Sequence, residues 1–179
     1  TVNAGQDQTI NEGQAITLTG SFTDPGQPLG EAYTTLWQVF DSTNTVIASS
    51  SDLTLTFTPM VGTYTANFTV TDSFGAATTD STNLSMLNVA PVITSLTTTA
   101  DYVGAAGEGQ QIDICGAFGN LCTLDTYTAT INWGDGISSD AVITLSNGIG
   151  SLSGSHAYTS GGIYQIGVTL SDDDGAATS

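Results

Sequence analysis

The chain says nearly the same thing twice, and that bounds what it can fold into. Glu12-Gly13-Gln14 returns as Glu108-Gly109-Gln110, and Thr19-Gly20-Ser21-Phe22 returns as Cys115-Gly116-Ala117-Phe118. Gly62-Thr63-Tyr64 through Gly75-Ala76-Ala77-Thr78 returns as Gly162-Ile163-Tyr164 through Gly175-Ala176-Ala177-Thr178. The offset drifts only from 96 to 100, so loops differ while the frame holds. A repeat of that length is a domain, not a solenoid turn. The 179 residues therefore divide into two units, 1–90 and 91–179. Each is long enough to bury a core, with the modest stability of a small domain. Leu87-Asn88-Val89-Ala90-Pro91-Val92 is the expected junction, stiffened by Pro91.

Within each unit the apolar residues alternate with period two, which is the mark of a half-buried strand. Ile16, Leu18 and Gly20 share one face; Leu53, Leu55 and Phe57 share another; Tyr64, Ala66, Phe68 and Val70 a third. In the second half Tyr127, Ala129, Ile131 and Trp133 alternate with polar residues, as do Tyr164, Ile166, Val168 and Leu170. Turn residues bound each run: Asp24-Pro25-Gly26, Asp135-Gly136 and Asn147-Gly148. Short strands with frequent turns predict an all-β fold of two tandem sandwiches. The first unit continues through a strand near Thr79–Val89, whereas the second stops at Ser179, so its final strand is missing from this chain. Either the polypeptide continues or a neighbouring molecule supplies that strand by β-augmentation.

Charge excludes several functions. There are no Lys or Arg residues and 17 Asp and Glu, for a net charge of −17. Without a cation there is no nucleic-acid footprint or phosphate clamp. No Schiff-base lysine, arginine finger or Lys–Asn isopeptide bond can form either. Only 9% of residues are charged, against about 25% in ordinary domains. Thr, Ser and Gly replace them, the polar uncharged surface of exported proteins. No apolar run approaches the roughly 20 residues of a membrane span, so no membrane insertion is expected. Like carboxylates repel, so divalent cations or salt should stabilise the fold.

Cys115 and Cys122 are read as a short-loop disulfide, which suits an oxidising compartment. Zinc is a poor reading, because His156 is the only histidine. His156 lacks the nucleophile and orienting acid of a hydrolase triad, Ser155 beside it being no substitute. The chain is expected not to be an enzyme. Trp37 and Trp133 fall at corresponding places and in phase with apolar neighbours, so they are read as core rather than as sugar-stacking platforms.

Four segments together carry a specific resemblance. They are Ile131-Asn132-Trp133-Gly134-Asp135-Gly136, Ser155-His156-Ala157-Tyr158, Gly162-Ile163-Tyr164 and Leu170-Ser171-Asp172-Asp173-Asp174-Gly175. The second unit resembles the polycystic-kidney-disease (PKD) domain family in all four. The first unit shares Thr69-Val70-Thr71-Asp72-Ser73-Phe74-Gly75 and the opening Val2-Asn3-Ala4-Gly5. It keeps Trp37 but lacks the Gly-Asp-Gly turn and the His-x-Tyr. The resemblance implies immunoglobulin-like sandwiches, a corner-tyrosine role for Tyr64 and Tyr164, and an extracellular, usually non-catalytic setting. It also implies candidate calcium ligands: Asn3, Asp24 and Asp72 in the first unit, and Asn88, Asn120 and Asp172 in the second. Calcium needs roughly six to eight oxygens, so Asp172-Asp173-Asp174 alone cannot supply them. Asn67-Phe68-Thr69 and Asn83-Leu84-Ser85 are sequons, making Asn67 and Asn83 candidate glycosylation sites.

The expected function is structural: a repeat of an extracellular surface protein, stalk or filament that spaces, adheres or assembles. Its expected partners are neighbouring repeats of the same or identical chains, and glycans. The alternative is a carbohydrate- or protein-binding accessory module of a secreted protein; calcium is the one candidate cofactor, against the plainer reading that Asp24 and Asp72 simply make turns.

Overall fold

The structure is a computed structural model that describes residues 1–24, 30–100, 105–119, 122, 125–146 and 149–179. The expected turns at Pro25-Gly26 and Asn147-Gly148 lie outside the described residues. Every regular element among the described residues is a strand. The chain divides into two compact units, Thr1–Leu87 and Asn88–Ser179.

Unit 1 contains β1 (Val2–Asn3), β2 (Gln8–Asn11), β3 (Ile16–Thr19), β4 (Ser21–Phe22), β5 (Tyr33–Phe40), β6 (Val46–Ser50), β7 (Thr54–Phe57), β8 (Gly62–Asp72) and β9 (Ala77–Leu87). A five-stranded sheet runs β2-β9-β8-β5-β6, and the smaller pairs are β3-β7 and β1-β4. Alternation places Ile16, Leu18, Leu55, Trp37, Val39, Ala66, Phe68, Val70, Leu84 and Met86 in one buried core. Trp37 and Phe68 meet at 4.8 Å in its centre. The polar alternates Thr63, Thr65, Asn67 and Thr69 line the outward face of β8. Gly20 has to be glycine, because a Cβ there would come within 2.5 Å of the Phe68 ring.

Unit 2 contains β10 (Val92–Thr98), β11 (Ala105–Ala106), β12 (Gln111–Gly119), β13 (Tyr127–Asn132), β14 (Ser138–Asp140), β15 (Val142–Ser146), β16 (Ile149–Ala157), β17 (Gly162–Ile163), β18 (Gly167–Asp172) and β19 (Ala177–Thr178). Two four-stranded sheets, β10-β12-β16-β15 and β14-β13-β18-β19, supply a second core of Ile112, Ile114, Phe118, Ala129, Ile131, Trp133, Leu152, Tyr158, Val168 and Leu170. The remaining pair is β11-β17. β19 has two residues, paired with Leu170 and Ser171 of β18.

Two expectations need correction. Leu53 does not continue the buried row of β7; it is 47% exposed and precedes the strand. Its carbonyl accepts from Gly20 N (2.8 Å) and from the Trp37 indole (3.1 Å), which holds it in a turn rather than a ladder. The disulfide between Cys115 and Cys122 is not formed in the structure. On β12, Ile112 and Ile114 point into the core, so the pleat turns Cys115 to the outward face while Cys122 is buried.

Candidate metal centre

Both units carry an acid at the end of the long core strand, and the following turn explains why. Asp72 ends β8; its Oδ1 accepts from Phe74 N (2.9 Å) and Ala76 N (2.8 Å), with Gly75 at φ 88° completing the turn. Asp172 ends β18 in the same way, accepting from Asp174 N (3.1 Å) and Ala176 N (2.8 Å), with Gly175 at φ 91°. In both places one carboxylate oxygen makes the turn, and the second is available for something else.

In unit 1 that second role is slight. Asp24 and Asp72 line one cleft of about 100 Å³ together with Thr1, Val2 and Tyr33. The Tyr33 hydroxyl donates to Asp24 Oδ1 (2.9 Å) and Glu31 Oε2 (3.0 Å). Burial and these two carboxylates push the Tyr33 hydroxyl well above its usual range. Asn3 does not join them. Its Oδ1 accepts from Gly5 N (2.8 Å), because the pleat of β1 turns it away from the side occupied by Val2.

In unit 2 the arrangement is denser. Asp172 is 6% exposed and also accepts from Asn88 Nδ2 (3.3 Å). Its Oδ2 and the Oδ1 of Asn88 are buried with no hydrogen-bond partner. Leaving such atoms unsatisfied costs about 1–3 kcal/mol each, more for a charged group. Asp125, Asp173 and Asp174 each place a carboxylate oxygen within 4.8 Å of the others. Asp125 is buried and accepts from the Tyr127 hydroxyl (3.3 Å), while Asp173 accepts from Thr126 N (3.1 Å). Asp174 is held above its ordinary carboxylate pKa by desolvation, then by the charges of Asp173, Asp125 and Asp172. Asp125, Asp173 and Asp174 offer closely set hard oxygens, the kind of donor a calcium ion takes, and Asn88 and Asp172 each leave one buried oxygen unpartnered. The residues present fit that ion. Asn120, the remaining candidate in this unit, lies outside the described residues.

Sequence reasoning brought Asn88 and Asp172 together and missed Asp125. The repeat held the signal. Glu31-Ala32-Tyr33 and Asp125-Thr126-Tyr127 both set an acid two residues before a strand-opening tyrosine, and in each the hydroxyl donates to that acid.

The other candidates sit apart from this centre. Asn67 is half-buried at mid-strand in β8 and Asn83 is exposed on β9, both on the outward face of the five-stranded sheet. Asn83 donates from its backbone N to Asp7 Oδ1 (2.8 Å). Trp37 and Trp133 are both fully buried, each indole donating inside its own unit, to Leu53 O (3.1 Å) and Ser139 Oγ (3.0 Å). The hydroxyls of Tyr64 and Tyr164 donate four residues back, to Met60 O (3.1 Å) and Ser160 O (2.8 Å). That is the corner-tyrosine geometry of such sandwiches.

Residues 4–86 match the family model described as K319L-like, PKD domain. Unit 1 is thus similar to a PKD domain along nearly its whole length. Unit 2 repeats the frame of unit 1 in its buried tryptophan, corner tyrosine and aspartate-capped turn. The chain therefore carries tandem PKD-like, immunoglobulin-fold units. No curated protein matches the sequence significantly. Among solved structures, a tetra-tandem repeat in the extending region of a large adhesion protein is 20% identical over 98% of this chain and 46% of that one, with a TM-score of 0.41. Fibronectin(III)-like modules of Clostridium thermocellum CbhA are 14% identical over 100% and 90%, with a TM-score of 0.37. Bacteroides ovatus SGBP-B, solved with a mixed-linkage heptasaccharide, is 15% identical over 96% and 40%, with a TM-score of 0.34. All three scores fall below 0.5, so these likenesses carry no functional weight. No helix among the described residues is long and apolar enough to cross a membrane.

Proposed function

We propose that the chain is a non-catalytic structural segment of an extracellular surface protein, stalk or filament, and that unit 2 is fastened by a calcium ion. Asn88, Asp125, Asp172, Asp173 and Asp174 would hold the ion. The reading is supported by two separate observations in unit 2, the buried, unpartnered oxygens of Asn88 and Asp172 and the three convergent carboxylates of Asp125, Asp173 and Asp174. Calcium would join the start of the unit at Asn88 to the β18–β19 turn, turning local repulsion into cohesion. Duplication supports the spacing role, since each unit closes its own core around its own tryptophan.

The accessory-module alternative would need a recognition surface. With Trp37 and Trp133 closed into the cores, neither offers an aromatic platform. A cleft of about 470 Å³ on unit 1, lined by Asp7, Thr9, Asp41, Thr63, Thr65 and Asn83 among others, would serve a hydroxylated ligand through hydrogen bonds.

Thermal unfolding in calcium, in chelator, and in NaCl of matched ionic strength tests the calcium reading. Calcium at a hundredfold over its Kd should add about 2.7 kcal/mol. Asp174→Asn discriminates further. Because neighbouring charges and desolvation disfavour the ionised Asp174, the variant should melt higher than the parent in chelator and respond less to calcium. A misfolded variant could not show that pair of signs. Equal stabilisation by calcium and matched NaCl would sink the proposal.

A further inference from the structure

The five-stranded sheet of unit 1 carries a cleft that a spacing role does not use. β5 ends at Phe40, which stands opposite Thr65 of β8. The two residues before it on β8, Thr63 and Tyr64, still pair with β9 but have no β5 residue beside them. The chain leaves the sheet there through Asp41, and Asn44 at φ 62° helps turn it back into β6. The outcome is a cleft of about 470 Å³, with Asp41 and Ser42 of that turn on one side and Asp7 and Gln8 at the entry to β2 on the other.

Between those walls lie two rows of uncharged polar side chains. Thr9, Ser85 and Thr63 stand side by side on β2, β9 and β8, and Asn83 beside Thr65 forms the next row. Neighbouring strands lie about 4.8 Å apart and alternate residues of one strand about 6.8 Å apart, so hydrogen-bonding groups recur on the scale of single sugar residues. Tyr64 and Leu84 add apolar atoms to the lining.

The acids at the margins are held in place. Asp41 accepts from Thr43 N (2.8 Å), Thr43 Oγ1 (2.7 Å) and Thr45 N (2.9 Å), all at Oδ1. Its Oδ2 is left for a ligand. Asp7 is tied to Asn83, whose backbone N donates to Oδ1 (2.8 Å) and whose Nδ2 donates to Oδ2 (3.4 Å). The Asn83 amide is the largest influence holding Asp7 below its ordinary carboxylate pKa, and the Thr43 hydroxyl does the same for Asp41. Both acids are therefore ionised at neutral pH.

We infer that this cleft binds a neutral oligosaccharide. A sugar presents hydroxyls at its edges and C–H groups on its faces, which suits polar rows with apolar atoms among them. A hydroxyl donating to a carboxylate makes one of the stronger hydrogen bonds, and Asp41 Oδ2 offers a fixed acceptor for it. A net charge of −17 with no Lys or Arg repels uronate- and sulfate-bearing chains. With Trp37 buried, hydrogen bonding rather than ring stacking sets the affinity. The site is complete within unit 1 and independent of calcium in unit 2. A spacer remains a spacer whether or not the cleft is filled, so failure here leaves that reading standing.

The full 179-residue chain, made in a host without N-glycosylation and kept in chelator, is screened against immobilised neutral and acidic oligosaccharides. The strongest neutral ligand is then titrated and followed by amide NMR shifts. Saturable binding with shifts at Thr63–Thr65 and Asn83–Ser85 is expected. Thr65→Val keeps a β-branched strand residue and removes one hydroxyl. Asp41→Asn keeps an acceptor for the turn and replaces the free oxygen with a donor. Each should weaken binding roughly tenfold while the NMR spectrum shows the parent fold. Thr71→Val, near the far end of β8, should leave binding unchanged. No neutral sugar bound, a preference for acidic sugars, or equal weakening by Thr71→Val would overturn the assignment.

Discussion

His156 is the only basic side chain in the sequence, and its surroundings use it fully. Its ring stacks on Trp133 at 5.2 Å and meets the edge of Tyr158 at 4.7 Å, and Nε2 donates to Asp135 Oδ2 at 2.8 Å. The contact ties β16 of one sheet to the turn after β13 in the other. The His156 hydrogen bond is the largest influence holding Asp135 below its ordinary carboxylate pKa, helped by the Ile137 amide. A carboxylate with a lowered native pKa stabilises the fold above its unfolded pKa. The contribution disappears as pH falls through the native value. Asp135→Asn should therefore lower the melting temperature at pH 7 and leave it nearly unchanged well below pH 3.8, the ordinary Asp value. Thermal scans of parent and variant at both pH values check the convergence. A gap that persists in acid would mean that the amide fails for steric reasons. Period and neighbours alone do not expose this pair, because the partners lie 21 residues apart and meet only when the sheets pack.

Among the elements, the turn from Trp133 to Ile137 shows how a short motif fixes a larger arrangement. Trp133 N donates to Ile137 O at 3.0 Å, and Gly134 and Gly136 take φ values of 82° and 93°. Gly134 meets a second demand, since a Cβ there would lie 2.5 Å from the Gln165 carbonyl oxygen. Gly134→Ala should cost more than about 1 kcal/mol, because strain and collision exceed the usual gain from stiffening the unfolded chain. Chemical denaturation followed by tryptophan fluorescence would measure it, and a neutral result would show that the turn tolerates the shift. Such turns and the two-residue alternation made most of the fold legible from sequence. Trp37, Phe68, Ile131 and Leu170 are buried where the pattern puts them. Partnership was less legible. Tyr164 and Ile166 alternate as well as Tyr64 and Ala66, yet no strand forms over them, and both still pack against the core of unit 2. Asn3 followed a family position, but its pleat turns it toward Gly5. The Asp125–Asp173 approach, made across 48 residues by a loop and a turn, has no periodic signature.

At the scale of the whole molecule, 17 acids without one Lys or Arg leave no surface salt bridge of the ordinary kind. Two hydrophobic cores and their ladders hold the fold, with calcium proposed as the counter-charge where acids converge. The parallel pairing of β2 with β9, Gln8↔Leu84 through Asn11↔Leu87, has a further consequence under load. Tension applied at the two ends of unit 1 draws these strands in opposite directions along their common axis. Parallel rungs then bear force together in shear, whereas an antiparallel pair pulled from one end unzips rung by rung. Single-molecule pulling should give unit 1 a higher rupture force than a variant with Ile10→Pro, which breaks the middle of that pairing. Equal rupture forces would show that the β2–β9 rungs are not what gives way first. A segment that serves as a spacer would thus resist being drawn out at the place where its first long strand lies beside its last.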